Sequence, residues 1–220
     1  MKITKTFLRK RWKDNDFISN FPLPLKESIE AWNSNKKLIH LKTEKINNID
    51  LRGISGNELW FFPNFYKTNN HDIDFSYGKG ALTFSEGKYE RINFNEFQFD
   101  RATHFKKAKL DGCNFQKSKL IFDANDTIFE NCDFTETIFK GGFNEYGYRR
   151  CSFINCNFSS SQWNNLYFFA CKFKNCTFTN FKISNAKIGG FKIDKITSEI
   201  EEMFLECDID GLIEMKNNYS

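Results

Sequence analysis

The sequence predicts an all-β solenoid whose chain winds in four-sided coils, and three observations predict it. The first is a five-residue period of large apolar side chains. Through the second half of the chain it reads Phe143, Tyr148, Phe153, Phe158, Trp163, Phe168, Phe173, Phe178, Ile183, Ile188 and Ile193. Neither a helix, with about 3.6 residues per turn, nor a simple strand, with a period of about 2, repeats this way. The second observation is that the period slips only after four pentads. The centres run Phe84, Tyr89, Phe94 and Phe99, then step six to Phe105, Leu110, Phe115 and Leu120. They step four to Ala124, Phe129, Phe134 and Phe139, and four again to Phe143. Slips confined to one corner mark a square coil of about 20 residues, the unit of a repeat architecture. The third observation is that coils aligned in this way put like residues in columns.

One inward column reads Phe75, Phe94, Phe115, Phe134, Phe153, Phe173 and Ile193, and its neighbour reads Phe99, Leu120, Phe139, Phe158 and Phe178. Coils stacked at a sheet spacing of about 4.8 Å turn such columns into ladders that fill the interior. Two residues before each centre stands a small or apolar side chain, as at Cys151, Cys156, Ser161, Leu166, Cys171, Cys176 and Ala186. Beside the first column this companion position reads Ile92, Cys113, Cys132, Cys151, Cys171 and Phe191. Asn131, Asn155, Asn175 and Asn185, with Gly112 and Gly190, follow a centre by two, where a corner needs residues that tolerate the left-handed region. The cysteines read as packing, because a buried thiol behaves as a small hydrophobe. Stacked side chains pointing one way suit neither a disulfide nor a tetrahedral metal site. Their odd count of seven, with no CxxC pair, agrees. No metal and no cofactor is expected.

These residues resemble the pentapeptide-repeat family, whose loose unit is a small residue, Asp or Asn, Leu or Phe, and two polar residues. Cys113-Asn114-Phe115, Cys132-Asp133-Phe134 and Cys156-Asn157-Phe158 carry the resemblance. It is strong over residues 84–193 and weaker over 39–80, where Ile39/Leu41, Ile49/Leu51 and Ile73/Phe75 keep the spacing without the polar pattern. The chain departs from the family pattern in using Phe over Leu, and Lys or Thr where Asp or Asn is common. The resemblance implies a right-handed quadrilateral β-helix. Some members resemble a DNA duplex, binding type II topoisomerases such as gyrase and protecting them from quinolones or other poisons. A non-enzymatic protein is expected on other grounds: an enzyme on a β-helix, such as a polysaccharide lyase, needs a cleft that a slim coil filled by Phe has little room to build.

A solenoid has two open ends that invite edge-to-edge association, so each needs a cap. Residues 1–38 form an N-terminal segment in which Leu25, Ile29 and Trp32 share one face of a helix over residues 24–32. Residues 39–193 form the β-helix. Residues 194–220 form an acidic cap helix and tail, with Thr197 or Ser198 at the helix start and acids in its first turn. These acids suit the basic last coils, and an end cap is where a homodimer would form. Net charge is +4, too mild to point to nucleic acid. Its distribution is uneven: residues 1–83 carry 14 basic and 9 acidic groups, residues 84–193 carry 16 and 11, and residues 194–220 carry 2 and 8. No apolar run is long enough to span a bilayer, and the basic start lacks a secretory pattern. The expected location is cytoplasmic, with no membrane partner.

The candidate chemistry is sparse. His40, His71 and His104 are scattered, with no nucleophile beside them. Asp123, Asp126, Glu130, Asp133 and Glu136 cluster in sequence, but successive faces of a square coil point them apart, as a solvated rim. Gly141-Gly142 reads as a tight corner where the coil slips. The outward positions that break the polar rule are Ile128, Arg149, Arg150, Tyr167, Phe169 and Lys187, taken as flanking a column of Tyr89, Leu110, Phe129, Tyr148, Phe168 and Ile188. Aromatics beside arginines have the composition of a partner-binding hot spot. The expected function is a rigid protein-interaction scaffold. A gyrase-binding DNA mimic is the alternative, although residues 140–193 carry eight basic groups against one acid, where mimicry needs a negative rod.

Overall fold

The computed structural model describes residues 3–22, 25–27, 30, 40–41, 47–55, 64–100, 103–140, 147–195, 197–203 and 208–214. The chain is a quadrilateral β-helix of short parallel strands. Four columns of positions in register define its four faces. The first face stacks Leu41, Phe65, Phe84, Phe105, Ala124, Tyr148, Phe168, Ile188 and Ile209 in register. The second stacks Asn70, Tyr89, Leu110, Phe129, Phe153, Phe173 and Ile193. The fourth stacks Gly80, Phe99, Leu120, Phe139, Trp163 and Ile183.

The third face is held by single bridges, which link Asp74, Asn93, Asn114, Asp133, Asn157 and Thr177 in turn. Its geometry follows from those residue types. The side chains of Asp74, Asn114, Asp133 and Asn157 accept from the backbone N–H two residues on, at 2.8–3.0 Å. That bends the backbone sharply, as Asx turns do. Behind it Phe94, Phe115, Phe134 and Phe158 stack nearly parallel at 4.7–5.0 Å between ring centres.

Corners fall two residues after a centre and take the left-handed region. Asn131, Asn155, Asn175 and Asn185 have φ of 50–53°, and Gly112 and Gly190 have φ of 61° and 60°. Lys107, Lys117 and Ala170 adopt the same backbone, at a cost of about 1–2 kcal/mol each for a side chain with a Cβ. The inter-coil backbone bonds that flank each corner offset it, as with Ala170 N–H donating to Gly189 O at 2.7 Å.

The register corrects one sequence expectation. From Ala124 the first face passes to Tyr148, and from Phe139 the fourth passes to Trp163. Phe139 to Tyr148 is therefore one nine-residue step at the slipping corner, and Phe143, expected as a centre, lies outside the described residues. Residues 141–146, including Gly141-Gly142, lie outside the described residues. The extra residues shift every later coil by one face relative to the sequence expectation. Phe134 stacks on Phe158, and Phe153 stacks on Phe129. The cysteines divide accordingly: Cys113, Cys132, Cys156 and Cys176 line the third face, and Cys151 and Cys171 the second. Each of these six thiols has two carbonyls within reach of its single S–H, one of its own coil and one of the preceding coil, as Cys156 has Ile154 O and Phe129 O at 3.4 Å. Burial pushes the Cys132 and Cys171 thiols well up, which fits a packing role.

The N-terminal end is closed by helices that the sequence pattern does not announce. Helix α1 (Lys5–Lys10), a 3₁₀ turn (Arg11–Lys13) and α2 (Asn15–Ser19) precede the expected cap. Leu8 lies on Gly53, which has φ of 72° and where a Cβ would stand 2.7 Å from Leu8 Cβ. Arg11 donates to both Asp50 carboxylate oxygens at 2.6 and 2.9 Å and to Arg52 O at 2.8 Å, while Trp12 Nε1 donates to Arg52 O at 2.9 Å. Of the expected cap helix, residues 25–27 and 30 are helical and Leu25 is fully buried; Ile29 and Trp32 lie outside the described residues. At the other end Thr197 Oγ1 accepts from Ile200 N–H at 3.3 Å and caps α3 (Ser198–Met203). The tail then adds a strand, Asp208–Glu214, parallel to Lys187–Ile193 with Asp208 opposite Lys187.

Candidate functional site

The register fixes which outward side chains are neighbours. On the first face the residues before each centre are His104, Asp123, Gly147, Tyr167 and Lys187. Those after each centre are Lys106, Asn125, Arg149, Phe169 and Gly189. Tyr167 and Phe169 stand on one strand with rings 6.4 Å apart and within 8° of parallel. Arg149 lies over the Tyr167 ring at 5.8 Å. Phe169 is 45 % exposed, and Lys187 is exposed. Glycines stand on opposite diagonals of this group. Gly147 comes so close to the next strand that a Cβ would lie 2.1 Å from Tyr167 O, and a Cβ at Gly189 would touch Phe169 at 3.1 Å. Each ring thus has a cation on one flank and a glycine on the other.

Two of the sequence candidates fall outside this group. Ile128 is 39 % exposed but lies on the second face, between Lys109 and Ser152 in register. Arg150 sits at the corner and chelates Asp126 through Nε and Nη2 at 2.5 and 2.8 Å, which holds the Asp126 carboxyl low. The structure therefore brings together four of the six, Arg149, Tyr167, Phe169 and Lys187.

The acidic residues between Asp123 and Glu136 do not form a negative face. Asp126 is held by Arg150, Glu130 pairs with Lys109 at 2.6 Å, and Glu136 with Lys117 at 3.8 Å. Asp133 caps its own turn. Asp123, on the first face, is largely buried beside His104, 3.8 Å from Nδ1. Its Oδ1 has no hydrogen-bond partner among the described residues. Burial pushes this carboxyl up, against the opposing pull of His104, the Gly147 N–H and Arg149. Sequence reasoning missed Asp123 as an individual, because its burial is set by the stacking of neighbouring coils, which the five-residue period alone does not show. His71 instead packs against Asp72 at 2.7 Å, and Asp72 is also gripped by Arg91. Among the described residues no group of His, Cys, Asp and Glu is arranged to hold a metal ion.

Each coil thus repeats one five-residue plan: an inward centre, an inward small residue two before it, outward neighbours on either side and a left-handed corner two after. The chain is a four-sided β-solenoid built on a five-residue repeat. No family model matches its sequence, and no curated protein matches it. Among solved structures it is similar to a trypsin-treated variant of QnrB1, described as a plasmid-mediated fluoroquinolone resistance protein. That match has 15 % identity and a TM-score of 0.42, covering 76 % of this chain and 91 % of the other. It is also similar to HetL, a pentapeptide-repeat protein involved in heterocyst differentiation regulation in the cyanobacterium Nostoc sp. strain PCC 7120. There the identity is 9 % and the TM-score 0.36, covering 76 % of this chain and 78 % of the other.

Proposed function

We propose that this solenoid is a non-enzymatic scaffold that binds a protein partner through its first face, at Arg149, Tyr167, Phe169 and Lys187. The observation that carries the reading is the outward Tyr167–Phe169 pair, two large rings held parallel on a flat strand beside an arginine. Large aromatics with arginine are the side chains that dominate binding energy at protein interfaces. The interior supports the same reading, because stacked rings fill it and leave chemistry only the outer faces. Gyrase binding by DNA mimicry is the weaker reading, since Arg150, Lys109 and Lys117 offset the carboxylates it would need. A pull-down with the wild type and with an Arg149→Glu/Phe169→Ser double variant tests the proposal. Loss of a specific partner from the folded double variant is expected. Retention of every partner would show that the first face is not the binding surface.

A further inference from the structure

The thiol column of the third face has a spacing and direction that suit one kind of ion: we infer that Cys156 and Cys176 bind a single copper(I) between their sulfurs, in linear two-coordinate geometry. The bridges from Asn114 to Asp133, Asp133 to Asn157 and Asn157 to Thr177 put Cys113, Cys132, Cys156 and Cys176 in register on successive coils. All four occupy the same inward position of the five-residue plan. Each lies near a carbonyl of the preceding coil, as Cys132 does to Leu110 O at 3.7 Å and Cys176 to Phe153 O at 3.4 Å. Side chains stacked in this way are separated by the spacing of adjacent strands, about 4.8 Å. A metal–thiolate bond is about 2.3 Å, so two of them end to end span about 4.6 Å. An ion on the line between the sulfurs would meet both Cβ–S bonds close to a right angle, as a bound thiolate requires.

Donor number and softness choose the ion. Among the described residues no three or more His, Cys, Asp and Glu are grouped to hold a metal, so the four donors that zinc takes are lacking. Thiolates alone favour copper(I), which two of them satisfy. Exposure chooses the pair. Cys113, Cys132, Cys151, Cys156 and Cys171 are buried, whereas Cys176 is partly exposed. The bridge to Thr177 is the last of this face among the described residues, so Cys176 ends the column where an ion can enter. Cys151 and Cys171 stack likewise on the second face, but neither is open to an arriving ion. The Cys156 thiol is close enough to push the Cys176 thiol up. Two thiolates so placed repel, and a cation between them removes the repulsion. Binding exchanges two S–H protons, released to solvent, for one copper(I), and no electron moves. Affinity should therefore fall as pH falls.

Titration of the reduced full chain with copper(I), without oxygen and against a colorimetric copper(I) chelator, tests the inference. One ion per chain is expected to be held, and X-ray absorption at copper should show a two-coordinate ion with sulfur as its sole neighbour. Cys156→Ala and, separately, Cys176→Ala should each lower the affinity at least about tenfold. Cys113→Ala, at the far end of the column, should bind as the wild type does, and so should Cys207→Ala, whose position lies outside the described residues. Cys176 is partly exposed, so its variant keeps the test valid should the Cys156 variant fold poorly. The inference is overturned if the chelator strips all the copper, if Cys113→Ala or Cys207→Ala loses it equally, or if nitrogen or oxygen joins the copper neighbours. Tighter binding of zinc than of copper(I) would overturn it as well.

Discussion

Asp123 is an outward residue whose carboxylate is nevertheless largely buried, 3.8 Å from His104 Nδ1 and with its Oδ1 unpartnered among the described residues. Burial without a full set of donors disfavours the charged form, so the folded-state pKa lies above the unfolded one. The sign of the linkage follows. A raised carboxyl pKa means the folded state holds its proton longer, so the residue destabilises the fold once pH rises through that value, and not below the unfolded pKa. Asp123→Asn is therefore expected to raise the melting temperature at neutral pH and to lose that gain in acid. Thermal melts of both proteins across that range check it, and a gain independent of pH would show that charge is not the cause.

At the scale of the element, the unit of stability is the ring ladder inside each face. Phe153 stacks on Phe129 at 4.9 Å and on Phe173 at 4.7 Å, and meets Phe158 edge-on at 5.5 Å. Phe153→Ala removes a fully buried ring with partners above, below and beside it, and is expected to cost about 3–5 kcal/mol. Phe169→Ser, on the next coil but outward, should stay within about 0.5 kcal/mol. Denaturant melts of the two variants measure the contrast. Most of this architecture is legible in the sequence, because the five-residue period and its slip are set by the inward centres alone. The ladders read correctly as far as Phe139. Beyond it, Phe143 stands four residues after Phe139 and five before Tyr148, so the period accepts it as a centre. Only the hydrogen-bonded register shows that Tyr148 follows Ala124 on the first face. The period accordingly groups Ile128 with Tyr167 and Phe169, whereas the four residues that do meet sit on adjacent coils of one face. The N-terminal helices are illegible for a different reason: they are too short to show a helical period, and Leu8, Arg11 and Trp12 are placed by the coil they cover.

For the whole molecule the decisive property is that each coil touches only its neighbours, so stability propagates along the axis and the ends set where unfolding starts. The N-terminal end depends on Arg11, which joins the capping helices to Asp50 on the first coils. Burial alone would raise the Asp50 carboxyl, but the guanidinium groups of Arg11 and Arg52 hold it well below the usual carboxylate range. A lowered carboxyl pKa contributes stability that is complete above the unfolded value and is lost as pH falls toward the folded one. Acid should therefore loosen this end most, because the ion pairs of the middle coils, such as Asp126 with Arg150, are surface pairs worth little, while the ladders inside them are apolar. Arg11→Ala should produce the same local loosening at neutral pH. Amide hydrogen exchange, read as protection relative to the intrinsic rate at each pH, checks both: lower protection is expected at Ile49, Leu51 and Ile54, with protection kept at Phe129, Phe153 and Phe173. Uniform acceleration along the chain would mean that the coils unfold as one cooperative unit, and that the cap is part of that unit.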